Sequence, residues 1–252
     1  GYVYINGKLS RLSNRARLQF SYTIKFKIQF SSYESATNLL KSYDITDGIS
    51  YDPKTGDYFV QSTEEAANNA RENPYIESLV LRKEKKANRD FKIFPHAANY
   101  NWNVDFLGPI YIPEKGKTIT INKDILPIYK RLITEYEGHQ LVVKGHQIFI
   151  DSKLTTTYTF KQNYYWMMGD NRDNSRDSRY WGFVPFDHVV GKPVFIWFSW
   201  NTNGKGIHKI RWERMFTTVE GNGERVSYLG YFILALIIYS LYNKYKKRRL
   251  KK

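Results

Sequence analysis

The 252-residue chain contains no cysteine, three methionines and five histidines. Without thiols there can be no disulfide, no thiolate metal site and no cysteine nucleophile, and the redox compartment stays open. His96, His139, His146, His188 and His208 show no ligand spacing and no H-E-x-x-H pair, so neither a metal nor a cofactor is expected. A G-x-S-x-G elbow and a Walker loop are also missing, which removes support for those hydrolase and nucleotide-binding classes. Acidic residues are few: 24 Asp and Glu stand against 39 Lys and Arg, a formal net charge of +15. Such an excess suits nucleic acid when it lies on one face. Here much of it sits in the final "NKYKKRRLKK", and no nucleic-acid partner is expected.

What is present reads as a folded, β-rich chain: 42% of residues are hydrophobic and 17% aromatic. Ahead of the basic end, residues 226–242 carry no charged side chain, close to the ~17-residue lower limit for crossing a bilayer. Tyr228, Tyr231, Tyr239 and Tyr242 suit interfacial belts. The expectation is a transmembrane helix over 226–243, behind a linker at 218–225. A basic tail over 244–252 would then lie in the cytoplasm, with the main domain on the opposite, periplasmic side.

The first residues, "GYVYING", alternate and then turn at Asn6-Gly7, a strong hairpin signal. A strand at residue one needs a partner, so residues 1–19 read as the continuation of an upstream β-domain in a longer polypeptide. Residues 20–90 have the order β-α-β-β-α-β of a ferredoxin-like split unit. "YTIKFKIQF" alternates, "SYESATNLLKSY" has helical spacing, and Ser62-x-x-Glu65 reads as a capping box. The polar "RKEKKANRD" follows as an exposed connection. Residues 91–217 show short runs with Pro/Gly punctuation, "GPIYIP", "KTITI", "LVVKGHQIFID" and "TTYTF", the rhythm of an antiparallel β-domain. "HQIFIDSK" echoes "GYVYINGK", as if both were hairpin strands of one sheet. The fold class expected is therefore mainly antiparallel β, with an inserted α+β subdomain and a C-terminal transmembrane helix.

The densest polar run is "MMGDNRDNSRDSRYWGFVP", Met167 to Pro185. Its carboxylates and guanidiniums lie within reach of bidentate pairing, and the flanking "YYW" and "WGFVP" must pack on either side. A loop anchored in this way can hold a catalytic group rigidly if its polar groups are satisfied. This run, followed by "DHVVGKPVFIWFSW", resembles the C-terminal signature of bacterial type I signal peptidases. "VYINGK", "DFLGPIYIPEKG", "IYKRLITEYEG" and "IRWERMF" are similar to segments of the longer, Bacteroidetes-type members.

The resemblance implies a membrane-anchored serine endopeptidase of the inner membrane, with signal peptides of exported preproteins and the lipid bilayer as partners. A serine would attack the peptide carbonyl, and a lysine kept neutral by an apolar site would act as base. By the resemblance, Ser175 orients that lysine, Asp177 and Arg179 form the ion pair beneath the site, Gly169, Asp170, Asn171 and Arg172 frame the turn, and Ser178 belongs to the same support. The family's serine and lysine motifs match no segment here and are expected upstream of Gly1. Lys130 is the in-chain candidate for the base, since it precedes "IFID" as the family lysine precedes "VYING". The G-x-P-G-D part of that motif is replaced by "TEYEG", and Lys130 otherwise reads as a strand residue of a repeated sheet element. The alternatives are a catalytically incomplete, peptidase-like binding or accessory subunit, and an enzyme made self-sufficient by Lys130 and an unrecognised serine.

Overall fold

In the computed structural model, which describes residues 3–10, 18–201, 204, 206–219 and 226–249, Asn6-Gly7 turns the chain as that dipeptide predicts. It joins β1 (Tyr4–Ile5) to β2 (Lys8–Leu9) as an antiparallel pair. The chain divides into two compact units, Gly1–Ser10 with Arg17–Val190, and Arg11–Ala16 with Gly191–Lys252.

Within the first unit, β3 (Gln19–Phe26), α1 (Tyr33–Ser42), β4 (Asp47–Asp52), β5 (Asp57–Thr63), α2 (Glu64–Arg71) and β6 (Ile76–Leu81) follow one another. Their four strands pair in the antiparallel order β4-β5-β3-β6, that of a split βαβ unit. Alternation along β3 and β5 buries Tyr22, Ile24, Tyr58 and Val60 beneath Ala36, Leu40, Ala66, Ala67 and Ala70 of the helices. The expected capping box is displaced by one residue. Thr63 caps α2 by accepting from Ala66 N at 3.2 Å, while Ser62 is buried in the strand and donates to Thr63 O. Strand alternation decides this, because it turns residue 62 inward and leaves 63 at the edge.

The remainder of this unit holds β7 (Thr118–Thr120), α3 (Leu126–Arg131), a π-helical turn at Leu132–Tyr136, β8 (Leu141–Lys144), β9 (Gln147–Ile150), β10 (Lys153–Leu154), β11 (Thr157–Thr159), β12 (Tyr164–Tyr165), α4 (Ser178–Trp181) and β13 (Val184–Pro185). These strands also pair antiparallel, β11 with β7, β12 with β13, and β8, β9 and β10 in a three-stranded sheet. Leu126, Ile128, Tyr129, Leu132 and Ile133 recur at helical spacing and share one core with Phe94, Phe160, Tyr164 and Phe183. "GPIYIP" forms no strand. Pro109 follows a cis peptide bond and Pro113 ends the run, so two positions lack the N–H a ladder needs. The two hairpins that echo each other have the same local turn, with positive φ at Asn6 and Gly7 and at Asp151 and Ser152, but they lie in separate sheets.

In the second unit, β14 (Phe195–Ile196) pairs with β15 (Thr217–Thr218), and α5 spans Leu229–Arg249. No helix among the described residues is long and apolar enough to cross a membrane, which corrects the transmembrane reading of 226–243. The chain enters α5 late. Val226 O accepts from Thr218 N, Ser227 bridges Thr217, and Tyr228 N donates to Phe216 O at 2.7 Å. Extended pairing thus removes three uncharged residues from the helix. The uncharged helical stretch Leu229–Asn243 is about 22 Å long at ~1.5 Å per residue, against ~30 Å of hydrocarbon, and Lys244, Lys246, Lys247, Arg248 and Arg249 then follow. Most of the expected linker, residues 220–225, and the end of the tail, 250–252, lie outside the described residues.

Candidate functional site

The polar run forms an anchored loop. Met167 and Ser178 close its neck: Met167 N donates to Ser178 Oγ at 2.8 Å, and Ser178 N donates back to Met167 O at 3.0 Å. Ser178 is fully buried, so its hydroxyl is consumed in holding the neck and is not available as a nucleophile. Asp177 caps α4, accepting from Arg179 N at 3.1 Å. Gly182 ends α4 at φ +91°, where a Cβ would lie 2.6 Å from the Phe94 ring. That glycine lets the chain press against the aromatic core, and Phe94 N donates to Arg179 O at 2.9 Å from the other side.

Under the loop lies a buried ion pair. The Arg179 guanidinium donates through Nε to Asp177 Oδ1 at 2.9 Å and through Nη2 to Asp177 Oδ2 at 2.8 Å. Nη2 also donates to Arg172 O, and Asp177 Oδ2 accepts from Gly169 N at 2.9 Å. Asp177, Arg179 and Arg172 are each 5% exposed or less. Burial pushes the Asp177 carboxyl up, but the Arg179 guanidinium and the Gly169 N–H outweigh it and hold the carboxyl below its ordinary range. For Arg172, burial and then the neighbouring Arg179 charge lower its hold on the proton.

Above the pair, Gly169 and Ser175 touch. A Cβ on Gly169 would lie 2.2 Å from Ser175 Oγ and 2.6 Å from its Cβ, so only glycine leaves the serine where it stands. Ser175 is half-buried, Asp170 is exposed and Asn171 is half-buried with its Oδ1 enclosed and unpartnered. The structure therefore brings Gly169, Arg172, Ser175, Asp177, Ser178 and Arg179 together, while Asp170 and Asn171 lie where the loop meets β3, Asp170 O accepting from Gln19 N and Asn171 bridging Gln19. Lys130 lies in the last turn of α3, not in a strand, and is exposed. Among the described residues no group of three or more His, Asp or Glu is placed to hold a metal.

The aromatic segment ahead of the loop is held by Glu137, the second glutamate of "TEYEG". It accepts from the hydroxyl of Tyr164 at 2.9 Å, from Tyr158, and from Lys161 N at 3.0 Å. Burial, and then this carboxylate, pushes both tyrosine hydroxyls far above their usual range. Sequence reasoning passed over Glu137, Phe94 and Gly182. A glycine between Trp181 and Phe183 is the one local sign of a close approach. It also passed over Asp173, whose Oδ2 accepts from Ser21 N at 2.6 Å. This array can hold a half-buried hydroxyl, Ser175, at a set height over a satisfied charge pair.

Comparison with known proteins finds matches over the segment that contains the loop. Residues 110–200 match the family described as signal peptidase, peptidase S26. Two Helicobacter pylori proteins named signal peptidase I are 32% and 45% identical over 133 residues, each covering 46% of this chain and 45% of the relative. A Buchnera aphidicola signal peptidase I is 64% identical over 109 residues, covering 38% of this chain and 33% of its own length. The chain thus spans about half the length, or less, of these curated relatives. No solved structure matches. The anchored loop lies inside this matched segment, and that part of the chain is similar to type I signal peptidases.

Proposed function

We propose that this chain supplies the supporting framework of a Ser/Lys endopeptidase that removes signal peptides from exported preproteins. The observation that carries the reading is the buried Asp177–Arg179 pair, bonded to Gly169 N directly beneath the Gly169–Ser175 contact. In such a site a serine hydroxyl attacks the scissile carbonyl and passes its proton to a desolvated lysine, and water then resolves the acyl-enzyme. Ser175 is the group that would bond and orient the lysine, and the ion pair keeps Ser175 at its height. The serine and lysine themselves match no segment of this sequence, so the chain by itself is inactive in this reading. The site of action is the outer, periplasmic face of the bacterial inner membrane. The exposed apolar side chains of α5, with exposed Trp197 and Trp200, meet the lipid without a span.

The test is processing of a preprotein by the complete product of the gene, in detergent or lipid vesicles. Cleavage at the signal peptide is expected, and Ser175→Ala should lower kcat by up to the ~10²–10⁴-fold that general-base catalysis contributes. A complete product that binds preproteins without cleaving them would assign the chain to the binding or accessory role instead.

A further inference from the structure

Strand β3 is central in its sheet, yet β6 does not accompany it to its end. Pairing with β6 runs from Tyr22 to Phe26, with Leu81 opposite Tyr22. The β6-facing edge of Gln19 and Ser21 therefore lacks a neighbouring strand, and its backbone groups need partners from elsewhere. The site loop provides them. Gln19 N donates to Asp170 O at 2.9 Å, and Arg172 N donates to Gln19 O at 2.8 Å, forming a parallel bridge between Gln19 and Asn171. One step further along, the loop turns back, with Asn174 N on Asn171 O, and has no carbonyl to offer. The Asp173 carboxylate takes that place, accepting from Ser21 N at 2.6 Å. Ser21 O is matched by Arg82 N at 2.9 Å. Every group on this edge is thus satisfied, the last donor by a charge-assisted bond.

We propose that Asp173 is a positioning residue that fastens the site loop to β3, which makes the α+β subdomain part of the site's support. Asp173 and Arg172 are adjacent, and Arg172 O accepts from the buried Arg179 guanidinium that pairs with Asp177. Asp177 in turn holds Gly169 N. The connection from β3 to Gly169, which abuts Ser175, therefore runs through hydrogen bonds joined by the Arg172–Asp173 backbone. Any displacement of β3 moves the loop, and a loosened loop lets Ser175 drift from its height. The catalytic consequence rests on the peptidase reading, whereas the clamp stands on the hydrogen bonds alone.

The experiment uses Asp173→Ala and Asp173→Asn, the second keeping an acceptor oxygen. Amide hydrogen exchange on this chain should show Ser21 and Arg172 exchanging faster in Asp173→Ala by roughly tenfold, the worth of one ordinary hydrogen bond to a charged group. Amides that pair β3 with β5 should stay protected, and Asp173→Asn should restore most of the lost protection. In the complete gene product, Asp173→Ala should lower kcat with KM changed by less than about twofold, the pattern of a lost transition-state contribution, and Asn should rescue it. Unchanged exchange at Ser21 and Arg172 overturns the clamp. Faster exchange with kcat unchanged, or Asn as slow as Ala, overturns the positioning role. A complete product without peptidase activity overturns the reading of function, and exchange alone then decides the clamp.

Discussion

Asp177 and Arg179 show how two residues of one short motif become interdependent. Each is buried, and each is the other's main partner. Removing one therefore leaves an uncompensated charge and not merely a lost contact. Asp177→Asn should cost about 3–5 kcal/mol at neutral pH, measured by urea denaturation. The native carboxyl sits below its unfolded value of ~3.9. Its stabilising contribution is thus complete above that value and disappears as pH falls through the lower, folded one. The wild-type urea midpoint should fall over that acid window, and Asp177→Asn should show a flatter acid limb. Gly169→Ala tests a different residue-scale feature. The new Cβ must displace Ser175, so preprotein processing by the complete product should fall while Ser175→Ala in the same background adds little further loss. The spacing of Ser175, Asp177 and Arg179 was legible because the three lie close in sequence. Asp173 was not, because its partner Ser21 is 152 positions away and Asp170 and Asp177 in the same loop carry the same charge.

At the scale of elements, local patterns located the helices and strands more reliably than their exact ends. The helical spacing of "SYESATNLLKSY" and the alternation of "YTIKFKIQF" correspond to α1 and β3. The start of α2 differs by one residue. Thr63→Ala should cost about 1 kcal/mol of stability through the lost cap, read as a shift in the urea midpoint. The same readout should return to wild type with Thr63→Ser, which preserves the capping oxygen. The "IYKRLITEYEG" segment is the larger departure. Its place before "IFID", like that of the family lysine before "VYING", suggested a repeated sheet element for Lys130, but Leu126, Ile128, Tyr129, Leu132 and Ile133 fill one face of a helix against the core. Packing of that apolar stripe outweighs the resemblance of a few polar residues.

For the molecule as a whole, α5 sets an expectation about lipid. Its side chains are unburied from Leu229 to Arg249, and its apolar part is too short to span. Vesicles containing anionic lipid should bring the chain down on sedimentation, through apolar contact and attraction to the basic end. Raising salt should weaken the binding only in part, because the apolar contact is unscreened, and truncation after Tyr228 should abolish most of it. Binding equal in the truncated chain would remove α5 from this role.

The sequence by itself determined the antiparallel β class, the β-α-β-β-α-β order found between Gln19 and Leu81 and the place of the polar loop. Those features rest on periodicity, turn residues and a dense local motif, all readable within a few positions. The tertiary structure decided what local patterns cannot carry. It placed Lys130 on an exposed helical turn and shortened the C-terminal helix, because residues 226–228 found strand partners first. It also singled out Asp173 among several similar acids, because the edge of β3 leaves the Ser21 N–H, which donates to that carboxylate. Unpaired backbone groups are satisfied by whatever comes near in space, and nearness in space is what a single sequence does not display.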